Sequence, residues 1–278
     1  MSPPGSTTRL TRRTTSFEFK PFSKRQLKVL TWWTQDSPYR NCNGIIADGS
    51  IRSGKTLTMS LSFCMWAMEC FDEQNFAICG KTINSLRRNA IKGLVPLLGA
   101  LGYTVHERRN ENMMTISVAG RENFFYLFGG KDEASQDLIQ GITLAGTLLD
   151  EVALMPESFV NQATGRCSVP GSKFWFNCNP AGRLHWFKTK WINQYLAKKC
   201  LYIHFTMEDN LSLTEDVKER YRSMYTGVFY KRYIEGLWCA AEGEIYDCWN
   251  ENENSFSAQD GGAFPFSARR CRHYIGID

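Results

Sequence analysis

Short apolar runs alternate with stretches of helical periodicity along most of the chain. The helical stretches lie at residues 55–71 and around 83–92, and the apolar runs predict strands at 44–48, 76–79, 113–118, 123–128, 147–150, 173–177 and 201–205. This alternation favours an α/β fold with a mostly parallel sheet and helices on both faces. The hairpin-like pattern at 103–128 predicts an antiparallel addition to that sheet.

The two ends of the chain differ from this alternating part. Residues 22–33 predict an amphipathic helix with Ser23 as N-cap and Leu27, Leu30 and Trp33 on one face. Residues 213–238 are helical and aromatic and predict a small lid. We therefore expect a flexible basic arm at 1–16, a core at 17–212, a helical lid and linker at 213–250, and, at 251–278, a linker with the first strand of a further, truncated domain.

Composition narrows the class of protein. The 278 residues are 43% hydrophobic, but no run approaches the ~20 apolar residues of a membrane span and no signal peptide is apparent. Ten cysteines without a C-x-x-C pair are typical of reduced cysteines in a cytosolic protein, and four scattered histidines argue against zinc. The net charge of +5 is compatible with a polyanionic partner.

A phosphate-binding loop follows the first strand. Its pattern is G-x-x-x-x-G-K-T, and its residues are Gly49, Ser50, Ile51, Arg52, Ser53, Gly54, Lys55 and Thr56. The glycines let backbone N–H groups turn towards phosphate oxygens, Lys55 reaches the terminal phosphates, and the Thr56 hydroxyl binds Mg²⁺. The sequence therefore predicts a site for a nucleoside triphosphate with Mg²⁺.

Two carboxylates end the strand predicted at 147–150. Asp150 is expected to bind Mg²⁺, and Glu151 to orient and activate a water molecule in line with the γ-phosphate. Taken alone, an Asp-Glu pair at a strand end is also typical of a solvated turn. Together with the phosphate-binding loop, the pair predicts a hydrolase, with Lys55, Glu151 and Arg52 as catalytic residues.

A third strand, at 173–177, ends in small polar groups. Asn177 is expected to contact the γ-phosphate or its water, since ligands gather at the carboxyl ends of strands in open α/β sheets. The other interpretation is an Asn-Pro turn that stops the strand. Phosphoryl transfer also needs a cation near the γ-phosphate; Arg52 supplies it within the loop, and Arg87, Arg88 and Arg166 are alternatives.

These segments resemble the ATPase domain of the large terminase subunit of tailed bacteriophages. The loop at 49–56 is similar to that family's phosphate loop with its internal arginine, 148–152 with Met155-Pro156 to its metal and water segment, and 177–180 with 185–188 to its coupling motif. The resemblance implies an ASCE-type P-loop NTPase fold with a helical lid, coupling roles for Asn177 and Asn179, and an adenine contact for Gln26. The segment 225–246 is similar to the family's connection from motor to nuclease.

The chain departs from the family in two places. Gln140 stands where several relatives carry an arginine proposed to reach a neighbouring subunit. Asp278 resembles the first metal-binding aspartate of the family's RNase H-like nuclease, and one carboxylate does not hold the metal pair that cleavage needs. We therefore expect a truncated chain without nuclease activity.

The resemblance implies an ATP-driven motor that moves double-stranded viral DNA into a procapsid, irrespective of DNA sequence. It implies a portal protein and a small terminase subunit as partners, a homo-oligomeric ring during packaging with a monomer in isolation, no membrane, and the cytoplasm of a bacterial host. Phosphate contacts should come from lysines and arginines. The candidates are Lys188, Lys190, Arg87 and Arg88, followed by Lys198 and Lys199.

Two other functions fit the same loop. One is a small-molecule kinase, although a kinase excludes water, which Glu151 beside Asp150 would instead activate. The other is a nucleotide-gated assembly module that binds ATP without useful turnover. A GTPase is disfavoured because no Asn-Lys-x-Asp element is present.

Overall fold

The structure is a computed structural model that describes residues 20–240. Its α-helices are α1 (Lys24–Thr31), α2 (Lys55–Cys70), α3 (Ile83–Leu86), α4 (Lys92–Ala100), α5 (Glu157–Gly165), α6 (Glu215–Met224) and α7 (Gly227–Tyr233). Its strands are β1 (Gly44–Gly49), β2 (Asn75–Gly80), β3 (Thr104–Arg108), β4 (Met113–Val118), β5 (Arg121–Gly129), β6 (Gly146–Asp150), β7 (Lys173–Asn177) and β8 (Cys200–Phe205). The predicted arm at 1–16 and the segment at 251–278 lie outside the described residues, and the predicted domain boundaries stay predictions.

The strands form one mixed eight-stranded sheet in the order β3-β4-β5-β2-β6-β7-β1-β8. The six strands β5-β2-β6-β7-β1-β8 pair in parallel, whereas β4 pairs antiparallel with both β3 and β5. This confirms the predicted α/β sheet and its antiparallel addition. Strand β7 lies between β1 and β6, as the ASCE-type arrangement requires. The carboxyl ends of these three parallel strands therefore meet at one edge of the sheet.

Alternate side chains of the central strands pack into two separate buried clusters. In β1, Ile45 joins one cluster and Ile46 the other; in β7, Trp175 and Phe176 separate in the same way. The first cluster includes residues of α1, α2 and α4, and the second includes residues of α5. A strand with helices on both faces is apolar at every position, and this explains the continuous apolar runs in the sequence.

Helix α1 is attached to α2 by hydrogen bonds to Ser62. The Ser62 hydroxyl donates to the carbonyl of Val29 at 2.6 Å and accepts from the indole N–H groups of Trp33 and Trp175, both at 3.2 Å. Ser23 caps α1, as predicted. The prediction that Leu27 lies on the buried face of α1 is wrong. Leu27 is 48% exposed, and Val29 is fully buried in its place. The attachment brings the start of α1 close to the loop that precedes α2.

Helical structure extends further than predicted after β2. Helix α3 leads into a π-helical turn, Arg87–Ile91, and then into α4, which ends at Ala100 rather than near residue 92. Gly93 and Pro96 disfavour helix, but Leu94, Leu97 and Leu98 are buried there. Helix α5 and a second π-helical turn, Lys188–Ile192, were not predicted at all.

The predicted lid at 213–238 forms two helices, α6 and α7, with a break at Tyr225 and Thr226. Glu215 and Asp216 occupy the first turn of α6, where they complement the helix dipole. Among the residues described, no helix is long and apolar enough to cross a bilayer.

Candidate active site

The phosphate-binding loop connects the end of β1 to the start of α2. Gly49 has φ +126°, and a Cβ there would lie 1.9 Å from the carbonyl oxygen of Phe205, so only glycine fits. Gly54 (φ +84°) precedes the helix and provides no side-chain cap for α2. The first N–H groups of this 16-residue helix therefore point into the site without a side-chain partner, as an anion-binding helix terminus requires.

Lys55 is buried, and its ammonium group is surrounded by oxygen acceptors. Its Nζ donates to the carbonyls of Gly49 at 3.1 Å and Ser50 at 2.7 Å, to Ser53 Oγ at 3.1 Å, and to Asn179 Oδ1 at 3.1 Å. Burial lowers the pKa of Lys55 to about 8, against the opposing influence of nearby acidic groups. All four of these acceptors are neutral, and a phosphate oxygen would give the ammonium group an anionic partner.

The ends of β6 and β7 bring an aspartate and an asparagine to the start of α2. Thr56 Oγ1 donates to Asp150 Oδ1 at 3.1 Å, and Asn177 Nδ2 donates to Thr56 Oγ1 at 2.9 Å and also to Asp150 Oδ1. Burial raises the pKa of Asp150 to about 6, although the hydrogen bond from Asn177 lowers it. Asn177 Oδ1 is buried without a hydrogen-bond partner among the described residues. The three side chains form one polar cluster with an unused oxygen.

Glu151 follows Asp150 with a left-handed backbone (φ 59°, ψ 41°). Such a conformation is uncommon for a residue other than glycine and often occurs at functional sites. It marks the point where β6 ends and the chain turns into the 3₁₀ turn Val152–Leu154. Glu151 is partly buried and lines the same cavity as Lys55.

These residues surround a cavity of about 580 Å³. The residues that line it are Ile51, Arg52, Ser53, Gly54, Lys55, Thr56, Leu57, Arg88, Asn89, Asp150, Glu151, Asn177, Cys178, Asn179 and Asn210. Of the predicted loop residues, Gly49 and Ser50 do not line it, and both are buried. The volume is that of an ordinary small-ligand pocket.

Gln26 lies beside the loop, outside the set of residues that line the cavity. Its Oε1 accepts from the backbone N–H of Ser23 at 2.9 Å, completing the cap of α1. Its Nε2 is 2.6 Å from where a Cβ of residue 54 would be. The structure therefore gives Gln26 a role in packing α1 against the loop, and its predicted adenine contact stays a prediction.

The predicted DNA-contacting residues have different surroundings. Arg87 pairs with Glu107 at 3.0 Å, Lys190 pairs with Glu157 at 2.8 Å, and Lys188 Nζ lies 5.9 Å from the centre of the Trp238 ring. Arg88, in contrast, lines the cavity. Lys198 Nζ lies 4.3 Å from the centre of the Trp191 ring. Their contact with DNA stays a prediction.

Sequence reasoning missed the residues that join the loop to the lid. Asp48, at the end of β1, is fully buried and accepts from Trp238 Nε1 at 2.6 Å and contacts His204 Nδ1 at 2.9 Å. Arg52 Nε donates to the Tyr221 hydroxyl at 3.0 Å. A carboxylate inside an apolar strand is a signal that could have identified Asp48, whereas nothing in the sequence indicates its partners.

Comparison with known families gives one match over most of the chain. A family model described as "Terminase large subunit, T4likevirus-type, N-terminal" matches residues 46–252. No curated protein matches the chain.

Several solved structures are similar to this chain. The large terminase from a thermophilic bacteriophage (crystal form 2) is 62% identical with a TM-score of 0.79, over 84% of this chain and 58% of that one. The same protein in complex with ADP is 61% identical with a TM-score of 0.78, over 84% and 57%. The HK97 bacteriophage large terminase is 11% identical with a TM-score of 0.57, over 79% and 50%, and shares the fold alone. The present chain thus spans 58% or less of the length of these relatives.

Proposed function

The chain belongs to the family of phage large terminase subunits, and from this premise we propose that it is an ATPase that drives the packaging of viral DNA. The observation that carries the proposal is the polar cluster of Thr56, Asp150 and Asn177 at the start of α2, next to Lys55, which donates to Asn179. The terminase of the thermophilic bacteriophage, which is about 60% identical, has been solved with ADP and with ATP-γ-S. We assign the cavity of this chain to ATP on the same grounds.

The polar cluster at the end of β6 fits Mg²⁺. Thr56 Oγ1 and Asp150 are hard oxygen ligands, and the unpartnered Asn177 Oδ1 is suited to accept a hydrogen bond from a metal-bound water. When bound, Mg²⁺ would neutralise developing charge on the β- and γ-phosphate oxygens. Asp150 must be ionised to bind Mg²⁺. Burial opposes ionisation and raises the Asp150 pKa to about 6, but this value is still below neutral pH, so the carboxylate is largely ionised there.

The proposed hydrolytic role of Glu151 is supported by its position in the cavity wall next to Asp150. Its carboxylate would hold a water molecule and accept a proton as the water attacks the γ-phosphorus. Lys55, which lines the same cavity, would bind the terminal phosphates. The kinase interpretation would instead require a binding site for an acceptor hydroxyl beside the γ-phosphate and the exclusion of water.

At the level of the whole protein, we propose a motor that moves double-stranded DNA irrespective of sequence. Its partners would be a portal protein and a small terminase subunit, and it would act as a ring of copies in the cytoplasm of the bacterial host. Lys188, Lys190 and Arg87 remain proposed contacts to DNA phosphates. Arg88 differs from them because it lines the nucleotide cavity.

The test is phosphate release from ATP by the purified chain, with and without Mg²⁺ and duplex DNA. We expect Mg²⁺-dependent release without any acceptor alcohol. Glu151→Gln should lower kcat by about 10²–10⁴-fold while nucleotide still binds, and Lys55→Ala should weaken nucleotide binding itself. Glu157→Gln is the matched control: it is the same change on a carboxylate that pairs with Lys190 outside the cavity, and it should hydrolyse ATP at the parent rate.

Three outcomes would contradict the proposal. Transfer of phosphate only to an added alcohol would indicate a kinase. Tight ATP binding with no hydrolysis would indicate an assembly module. Normal turnover by Glu151→Gln would show that another group activates the water.

A further inference from the structure

Phosphoryl transfer needs a cation beside the γ-phosphoryl group in addition to the loop lysine. The sequence offered four arginines for this role, and the structure separates them. Arg166 follows α5 and does not line the cavity, and Arg87 is ion-paired with Glu107 at 3.0 Å. Arg52 and Arg88 are the two of the four that line the nucleotide cavity.

Arg52 is held towards the lid. Its Nε donates to the Tyr221 hydroxyl at 3.0 Å, and its guanidinium carbon lies 5.8 Å from the centre of the Tyr221 ring. Its carbonyl accepts from Asn210 Nδ2 at 2.7 Å, which fixes the backbone as well. Arg52 would have to leave α6 before it could turn to a phosphate.

The Arg88 side chain, in contrast, is not held by the lid. Its one hydrogen bond to a described residue runs from Nε to Asn89 Oδ1 at 3.4 Å, a long contact, and it forms no ion pair within residues 20–240. It is exposed, so reorienting the guanidinium group breaks little. An arginine without a carboxylate partner at the wall of an anion site keeps its full charge for the anion.

The sheet order places Arg88 on the hydrolytic side of the cavity. Strand β2, which leads into α3, neighbours β6, and β6 ends at Asp150 with Glu151 directly after it. The phosphate loop follows β1, on the other side of β7. A group arriving from the β2 side therefore approaches the γ-phosphoryl end next to Glu151, away from the lid.

Arg88 also lies in an unusual backbone segment. The π-helical turn Arg87–Ile91 interrupts an otherwise continuous helix between Ile83 and Ala100. Such turns insert one residue, change which side chains face a given direction, and recur at functional sites. Here neighbouring arginines separate: Arg87 pairs with Glu107 on the edge strand β3, and Arg88 reaches the cavity.

We propose that Arg88 is a catalytic residue that contacts the γ-phosphoryl oxygens of ATP bound in the same subunit. The inference rests on the proposed ATPase function. In the step concerned, water oxygen bonds to the γ-phosphorus and the bond from that phosphorus to the bridging oxygen breaks. The bond electrons stay on ADP, and the proton of the water passes to Glu151. Arg88 stabilises the negative charge on the γ-phosphoryl oxygens during this exchange.

A DNA contact is the competing role for this side chain. Arg88 also lines a neighbouring groove of about 460 Å³ with Arg87, Lys92 and Arg109, whose basic character suits a phosphate backbone. The two roles give different results without DNA. A DNA contact leaves DNA-free hydrolysis unchanged, whereas a γ-phosphoryl contact is needed for it.

The experiment compares Arg88→Ala and Arg88→Lys with Arg108→Ala as the matched control, an exposed arginine that lines neither the cavity nor the neighbouring groove. We expect kcat for DNA-free ATP hydrolysis to fall about 10²–10³-fold in Arg88→Ala. Arg88→Lys should recover only part of it, since an ammonium group cannot make the bidentate contact. Affinity for ADP should stay within about twofold, while affinity for ATP-γ-S falls, because only the latter carries a γ-phosphoryl group. Arg108→Ala should keep the parent kcat.

An Arg88→Ala chain that hydrolyses ATP at the parent rate but binds DNA less tightly would overturn the inference and leave the ATPase function intact. Equal losses of ADP and ATP-γ-S affinity would also overturn it, since they indicate a damaged loop. Mixing the Arg88→Ala and Lys55→Ala chains tests whether Arg88 acts in its own subunit. Restored hydrolysis would mean that Arg88 contacts ATP bound in a neighbouring subunit and would overturn the inference. If the parent itself does not hydrolyse ATP, the proposed function fails, and the ratio of ADP to ATP-γ-S affinities still tests Arg88.

Discussion

Asn177 and Asn179 stand two positions apart and face opposite charges. Asn177 Nδ2 donates to Asp150 and to Thr56, whereas Asn179 Oδ1 accepts from the ammonium group of Lys55 at 3.1 Å. The first asparagine thus provides an N–H to a buried acid, and the second provides an oxygen to a buried base. Neutral amides satisfy both groups without adding charge.

Replacing each asparagine by aspartate should therefore have opposite effects. Asn177→Asp brings a second carboxylate against Asp150, which raises both pKa values and should lower the free energy of unfolding by about 1–3 kcal/mol at neutral pH. Asn179→Asp instead pairs with Lys55 and should change stability little, but it competes with phosphate and should weaken ATP binding. Urea unfolding without nucleotide and calorimetric titration with ATP measure the two effects.

The two substitutions control for each other because they make the same chemical change two positions apart, at the end of β7 and just after it. Equal destabilisation by both would show that the charges of Asp150 and Lys55 do not determine the result. Full ATP affinity in Asn179→Asp would contradict the position of Lys55 as the phosphate ligand.

At the scale of elements, the end of α7 and the segment after it are hydrogen-bonded to the end of β1 and to the loop that follows β1. The backbone N–H of Ile51 donates to the carbonyl of Tyr233 at 2.9 Å, and Trp238 Nε1 donates to Asp48 at 2.6 Å. His204, on β8, lies between Asp48 Oδ1 at 2.9 Å and the carbonyl of Glu235 at 3.2 Å. The lid therefore contacts the strand that carries the phosphate loop, and not only the outside of the sheet.

The bridge made by His204 should depend on pH. Both ring nitrogens face acceptors, so the doubly protonated ring satisfies both, and the hydrogen bond to Asp48 raises the His204 pKa above 6.5. A raised histidine pKa contributes stability that is complete below the unfolded value and is lost as pH rises through the folded value. His204→Gln should therefore lower the free energy of unfolding more at about pH 5 than at about pH 8.

His185 provides a control of opposite sign. Its Nδ1 accepts from the backbone N–H of Phe187 at 3.2 Å, and burial lowers its pKa below 6.5. Its contribution should be present at high pH and lost on acidification. NMR titration of the two imidazole rings, with urea unfolding of His204→Gln and His185→Gln across that range, measures both. The same pH trend in both variants would contradict the assignment of charge to His204.

Some of these elements were predictable from the sequence, and others were not. Strands β1, β2, β6 and β7 were predictable because burial on both faces makes most of their positions apolar. The loop residues were predictable because phosphate binding requires local spacing. The bond between Asp48 and Trp238 was not, since it joins residues 190 positions apart. The π-helical turn at Arg87–Ile91 was not either, because one inserted residue leaves no periodic signal in so short a segment.

At the scale of the whole molecule, electrostatics limits how the chain would bind DNA. A net charge of +5 is modest, and several basic side chains are already paired with acids. Binding should thus depend on a few unpaired cations. Each cation that neutralises a phosphate adds about −0.9 to the slope of log affinity against log salt concentration. The slope consequently counts the contacts, whatever the DNA sequence.

Lys188 and Lys190 make this count testable on one π-helical turn. Lys188 forms no ion pair with a described residue and lies near Trp238, whereas both oxygens of Glu157 accept from Lys190 at 2.8 Å. Lys188→Ala should reduce the slope by about 1 and weaken binding equally for two unrelated duplexes. Lys190→Ala should change the slope less, because Glu157 already offsets its charge. Fluorescence anisotropy over a series of salt concentrations measures both, and a larger change for Lys190→Ala, or a loss confined to one duplex, would place the DNA on another face of the protein.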